Sequence, residues 1–228
     1  MEKITILIPV YNEVASLLEI IKKVEAVDFC GLEKEIILID DCSTDGTRDL
    51  YSQFSHKVLF HERNMGKGAA LRTGLKEATG DIIIIQDADL EYNPQDYVPL
   101  VNIVKTNAAD VVYGSRLSDT RNQGKFLLLS YLANITLSFL TRVLYDTYIT
   151  DMETCYKVFR ADVIKDINIE SNRFDFEPEI TAKVLKKGVR YIEAPISYDA
   201  RKTSEGKKIG WKDGVQAIWT LFRFRFFE

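Results

Sequence analysis

The chain has 228 residues, 46% hydrophobic and 28% charged, with a formal net charge of −4. That size and mixture fit one large soluble domain with a substantial core. The acidic balance excludes a general nucleic-acid binder, and three widely spaced cysteines (Cys30, Cys42 and Cys155) argue against a disulfide framework or a C-x-x-C zinc site, pointing to a reducing cytosol.

In chain order, "MEKITILIPV" opens with charges but no long apolar run, so no signal peptide is expected. Strands are predicted over 4–10, 35–40, 57–62, 81–87 and 110–115, and helices near 13–27, 46–55, 66–78 and 95–106. Short runs rich in Ile and Val, alternating with helical patterns, predict an α/β fold with a mostly parallel sheet covered on both faces. Ligands of such sheets bind beyond the carboxyl ends of the strands. Four polar clusters fall there: "PVYNE" (9–13), "DDCSTDGT" (40–47), "QDADLE" (86–91) and "GSR" (114–116). Each alone could be a cap or a turn. Four at one edge point to a site.

The second half reads differently. Residues 127–145 form a predicted helix that is apolar except for a stripe of Ser130, Asn134, Ser138 and Arg142, spaced four apart on one face. Its uncharged run of 16 residues is short for a membrane span, leaving a buried helix, the preferred reading, or one lying in a membrane interface. "NIT" at 134–136 matches a glycosylation acceptor but lies inside this helix, so it is set aside. Residues 201–228 hold seven Lys/Arg against three Asp/Glu, a net of +4, whereas the other 200 residues carry a net of −8. The tail sets aromatics around Arg223 and Arg225, which suits either a bilayer headgroup zone or a helix docked on the core.

The chemistry concentrates after the four isoleucines of 82–85. Asp87 and Asp89 stand two apart on an extended segment, so they face one side with Cα atoms roughly 6–7 Å apart. Two such carboxylates repel unless a cation lies between them. Mg²⁺ or Mn²⁺ takes one or two carboxylates and completes its sphere with water and substrate phosphate. An EF-hand is excluded, because Tyr92 stands where that loop needs Gly. "NMGKGAALRTG" (64–74) is glycine-rich and opens a helix, which reads either as a close backbone approach to a ligand with Lys67 near it or equally as a structural loop, and it has neither the P-loop order nor the third glycine of a dinucleotide fingerprint. With His56 and His61 the only histidines and no G-x-S-x-G, no hydrolytic triad is visible.

These clusters, in this order, resemble the inverting family 2 glycosyltransferases of GT-A fold. "RFDFEPEI" and "RKTSEGKKIGWKDG" resemble the branch that makes dolichyl-phosphate or polyprenyl-phosphate mannose and glucose. The resemblance implies a catalytic domain over 1–210, with a nucleotide-sugar half (1–116) and an acceptor half (117–210), and an amphipathic tail over 211–228. It implies that Pro9, Tyr11 and Glu13 line the nucleotide pocket, and that Asp40 or Asp41 reads base and ribose. Asp87 and Asp89, with Ala88 between them, would hold metal and diphosphate, and Glu91 falls where relatives place a further polar metal ligand. Arg116 falls where an arginine receives the acceptor's phosphate. Arg201, Glu205 and Lys207 fall in a basic loop that clamps the diphosphate. Asp151 joins Asp89 and Arg116 as a catalytic candidate, although "DMETCYKVF" (151–159) departs from the usual S-G-F-R pattern, and Cys42 replaces a common Gly.

The implied activity is metal-dependent transfer of a hexose from a GDP- or UDP-sugar to a polyprenyl or dolichyl phosphate, at the cytoplasmic face of a membrane. A soluble or glycan acceptor, a noncatalytic nucleotide-sugar binder and a nucleotidyltransferase are the competing readings. Sugar, nucleotide and oligomeric state stay open.

Overall fold

The computed structural model describes residues 1–200 and 211–227. Seven strands form one sheet: β1 (Lys3–Val10), β2 (Glu33–Asp40), β3 (Lys57–Phe60), β4 (Ile82–Ile85), β5 (Val111–Ser115), β6 (Lys157–Arg160) and β7 (Tyr191–Pro195), in the order β3-β2-β1-β4-β6-β5-β7. All pairings are parallel except those of β6, which runs antiparallel between β4 and β5. Two reversals restore direction, so β1, β2, β4 and β5 present their carboxyl ends at one edge, as expected from the sequence.

The helices are α1 (Leu17–Glu25), α2 (Lys67–Glu77), α3 (Tyr97–Lys105), α4 (Leu128–Tyr145), α5 (Ala161–Lys165), α6 (Phe176–Lys187) and α7 (Trp211–Phe226). Every residue of β4 is buried, which is why its four isoleucines show no alternation. Gly74 of α2 allows close packing on the sheet, since a Cβ there would press on Ile39 and Leu7.

Several boundaries differ from the sequence reading, each for a local reason. Helix α1 starts at Leu17 rather than 13, because the Glu13 carbonyl accepts from the amides of Ser16 and Leu17 in a turn. Residues 47–53 form a 3₁₀ helix after Gly46, whose φ of 96° ends the preceding loop. The third and fourth strands stop at Phe60 and Ile85, two residues early, which leaves Gln86–Glu91 free to form the site.

Helix α4 overturns the preference for burial. Its polar stripe, not its apolar surface, faces the protein: Asn134, Ser138 and Thr141 are buried with Leu137, while Leu128, Leu129, Leu132, Phe139 and Val143 are exposed. The Ser138 hydroxyl and the Asn134 amide are used by the loop at 149–153, while the Thr141 hydroxyl donates to the Leu137 carbonyl within the helix. Ser138 Oγ accepts from the Met152 amide (3.0 Å), and the half-buried Arg142 donates to the Ile149 carbonyl (2.5 Å). Helix α7 packs against α4 and α6 through Ala217, Leu221 and Phe224, and leaves Trp219, Phe222 and Phe226 outside. The tail is thus a docked helix with an exposed aromatic face.

Candidate active site

The site is assembled from Gln86 outward. This side chain is fully buried, and its carbonyl oxygen accepts from the hydroxyls of Tyr97 and Tyr156, the latter at 2.8 Å. Its amide donates to the Asp87 carbonyl at 2.7 Å. A rigid tyrosine-lined amide therefore sets the backbone just before the two carboxylates. The Asp87 carboxylate meets Lys67 Nζ at 2.8 Å, and Lys67 also meets Glu177 at 2.7 Å. Burial alone would lower the Lys67 pKa, but Asp87 and then Glu177 outweigh it and hold the ammonium well above its ordinary range.

Asp89 is buried, and its Oδ1 accepts the Glu91 amide at 3.0 Å. The Glu91 carboxylate accepts from Tyr198 Oη at 3.1 Å. The turn before Pro94 is capped by Asn93, not by Glu91. Among the described residues no group of three or more His, Cys, Asp or Glu side chains is arranged to hold a metal. Asp87 and Asp89 nevertheless fit a hard cation that takes one or two carboxylates and finishes its sphere with phosphate and water. In this arrangement Lys67 supplies the positive charge at Asp87.

The nucleotide-side candidates surround this pair. Pro9 and Tyr11 are half-buried where β1 ends, and Glu13 is buried beside Ser16. Ser16 Oγ lies 2.8 Å from Glu13 Oε2 and 2.9 Å from the Ala88 carbonyl, which ties the two loops. Asp40 is fully buried. It accepts from Arg48 (2.7 Å), Tyr51 (3.0 Å) and the Ser43 amide (3.1 Å), which together hold its carboxyl below the ordinary range against the opposing effect of burial. Asp41 accepts from the amides of Met65 (2.8 Å) and Gly66 (2.7 Å), and its Oδ1 lies 2.7 Å from His61 Nδ1. Both carboxylates thus anchor local loops. In the glycine-rich turn, a Cβ on Gly66 or Gly68 would overlap the carbonyl oxygens of Asn172 and Ser171, so the close backbone approach there is to the chain itself. Arg201, Glu205 and Lys207 lie outside the described residues.

On the acceptor side, Arg116 and Asp151 form one unit. Asp151 Oδ2 accepts from the Arg116 amide and Nε, both at 2.8 Å, and Oδ1 accepts from Nη2 at 2.7 Å. The guanidinium lies against three rings, with centroids 5.1 Å (Tyr198), 5.7 Å (Phe126) and 5.9 Å (Tyr92) away. Burial opposes both charges, yet Asp151 keeps Arg116 raised and Arg116 keeps Asp151 lowered, so both stay ionised. Asp151, fully buried, orients Arg116 from behind. Glu153 next to it is different: burial, then the charge of Glu177, pushes its carboxyl up to about 7. One covered oxygen on each of Glu153 and Glu177 lacks a hydrogen-bond partner.

Sequence reasoning missed Gln86, Tyr92, Glu177, Tyr198 and Asn134 as site residues. The first four lie beside or inside quoted motifs, but their partners are 11 to 110 positions away in the chain.

A mostly parallel seven-stranded sheet with paired carboxylates after β4 and an aromatic-lined arginine after β5 matches the GT-A fold of glycosyltransferases. More particularly, the chain belongs to glycosyl transferase family 2, whose model matches residues 5–167. It is 29% identical over 220 residues to the undecaprenyl-phosphate mannosyltransferase of Micrococcus luteus, covering 91% of this chain and 88% of that one. It is 27% identical over 214 residues to the dolichol-phosphate mannosyltransferase of Pyrococcus furiosus, covering 91% of this chain but only 60% of that protein. Among solved structures, glucosyl-3-phosphoglycerate synthase from Mycobacterium tuberculosis, in complex with Mn²⁺, UDP and phosphoglyceric acid, superposes with a TM-score of 0.77 at 18% identity. It covers 99% of this chain and 79% of that one. Mannosyl-3-phosphoglycerate synthase from Rubrobacter xylanophilus gives 0.75 at 18% identity, with 98% and 72% covered. At these identities the structural likeness speaks for the fold.

Proposed function

We propose that the protein transfers a hexose, with inversion, from a GDP- or UDP-sugar to a polyprenyl or dolichyl phosphate at the cytoplasmic face of a membrane. The observation that carries this reading is the pairing of the Asp87/Asp89 edge with a desolvated arginine receptor beneath an outward-facing apolar helix. Asp87 and Asp89 would hold Mg²⁺ or Mn²⁺, which supplies charge stabilisation to the departing diphosphate. Tyr11 and Glu13 border the nucleotide. Arg116, aimed by Asp151, would orient the acceptor's phosphate, a proximity effect. A phosphate monoester is largely ionised near neutral pH because its second pKa is about 6, so attack needs no general base. The two mannosyltransferase relatives act, by name, on undecaprenyl phosphate and dolichol phosphate, which supports the lipid acceptor.

The exposed apolar residues of α4, with Trp219, Phe222 and Phe226 of α7, form the face that would rest on the bilayer. A second reading, a soluble phosphorylated acceptor, has one observation in its favour: the Arg116 guanidinium, surrounded by three aromatic rings, would suit a phosphate whether or not a lipid is attached. Two measurements test the proposal. In a thermal-shift panel, GDP- or UDP-sugars with Mn²⁺ should stabilise the protein, and no shift with any donor would refute the donor assignment. Flotation with anionic liposomes should recover the protein, and a Leu129→Asp, Phe139→Asp double variant should stay behind. Flotation unchanged by that variant would refute the membrane face.

A further inference from the structure

Asn134 lies on the inner face of α4, 3% exposed. Its Nδ2 donates to Asp151 Oδ1 at 2.7 Å, and its Oδ1 accepts from Ser138 Oγ and the Glu153 amide, each at 3.4 Å. Those two acceptor contacts fix which way the amide points. Asp151 Oδ1 is the oxygen that also receives Arg116 Nη2. Glu193 holds the same loop from the other side by accepting the Asp151 amide at 3.1 Å.

A guanidinium carries five N–H donors. Arg116 commits Nε–H and one Nη2–H to Asp151, and the rest meet no acceptor among the described residues. Its surroundings are aromatic, so water offers little in their place. Asp151 cancels the charge of Arg116, which leaves a receptor that works by direction more than by net charge. Direction is what Asn134 controls: without it, Asp151 Oδ1 loses a donor, and the carboxylate can swing about its χ2, taking the guanidinium edge with it.

We propose that Asn134 is a positioning residue for the acceptor: it locks Asp151 so that the uncommitted N–H groups of Arg116 point at a phosphate monoester. The inference rests on the acceptor role proposed above for Arg116. It also means that the helix with the outward apolar face carries the hold on the phosphate receptor.

The test is equilibrium binding of farnesyl phosphate, a soluble prenyl phosphate, to the full chain with Mn²⁺ and a nucleoside diphosphate present. Asn134→Leu keeps the side-chain shape and removes the hydrogen bonds. Its affinity for farnesyl phosphate should fall about tenfold or more, the range for hydrogen bonds to charged groups, while nucleoside-diphosphate affinity stays within about twofold. Leu137→Ala loosens the same helix without touching the relay and should leave the ratio of the two affinities unchanged. Equal farnesyl phosphate binding by wild type and Asn134→Leu would overturn the inference alone. So would parallel loss of both ligands, or the same selective loss in Leu137→Ala. A wild type that binds no farnesyl phosphate would overturn the acceptor reading and this inference with it.

Discussion

Replacing Lys67 by Met gives a sharp test of how the charges of Asp87 and Glu177 are balanced. Lys67 is nearly buried and bridges Asp87 and Glu177 at 2.8 and 2.7 Å, so one cation compensates two carboxylates. Methionine keeps most of the aliphatic stem and removes the charge. Breaking a buried ion pair by deleting one partner costs about 3–5 kcal/mol, here because the buried Glu177 carboxylate loses its ion-pair partner. For a chain of this length each kcal/mol moves Tm by about 2–4 °C, so a fall of about 6–20 °C follows. Differential scanning calorimetry in EDTA should show that fall. Added Mn²⁺ with a nucleoside diphosphate should recover much of it, since the metal then supplies the charge at Asp87. A Tm within about 3 °C of wild type in EDTA, or a fall that the metal complex leaves untouched, would refute the balance described here.

Three further outcomes follow from the geometry. Glu153 titrates near 7 in the folded chain against its ordinary 4.5, so the folded state holds the extra proton. Stability is therefore lost as pH rises from about 4.5 through 7. Glu153→Gln should gain on wild type over that interval, by up to about 3 kcal/mol in urea melts at pH 8 relative to pH 5; a pH-independent difference would contradict it. Gly68→Ala drives a methyl into the Ser171 carbonyl and should lose about 1–3 kcal/mol, whereas Gly214→Ala, in a helix with open space around it, should gain about 0.5–1 kcal/mol. Asp89→Asn should abolish Mn²⁺-dependent stabilisation in calorimetry while the metal-free protein still melts cooperatively; retained metal dependence would remove Asp89 from the site.

Much of the nucleotide half was legible in the sequence because its signals are local. Four isoleucines in a row state a strand buried on both faces, and polar clusters after each such run mark one sheet edge. Residues 157–195 were not legible for the opposite reason. β6 is a four-residue strand inserted antiparallel, and only its pairing with Ile82–Ile84 and Val111–Tyr113 makes it one. The stripe on α4 was visible, but a helical period does not say which face turns inward. That was decided by the 149–153 loop, whose amides and carboxylate take Asn134 and Ser138 as partners and whose Ile149 carbonyl takes Arg142. Asp151 read as a catalytic candidate from its motif; its burial and bidentate hold on Arg116 make it a support. The Gln86–Tyr97–Tyr156 bracket joins three separate segments, and no spacing rule would find it.

The most direct test of the account is transfer of radiolabelled hexose from GDP-mannose or UDP-glucose to a polyprenyl phosphate with Mn²⁺, followed by phase partition. The account predicts label in the organic phase, release of the nucleoside diphosphate, and loss of both in EDTA. Label confined to a water-soluble product, or transfer undiminished without divalent metal, would contradict it.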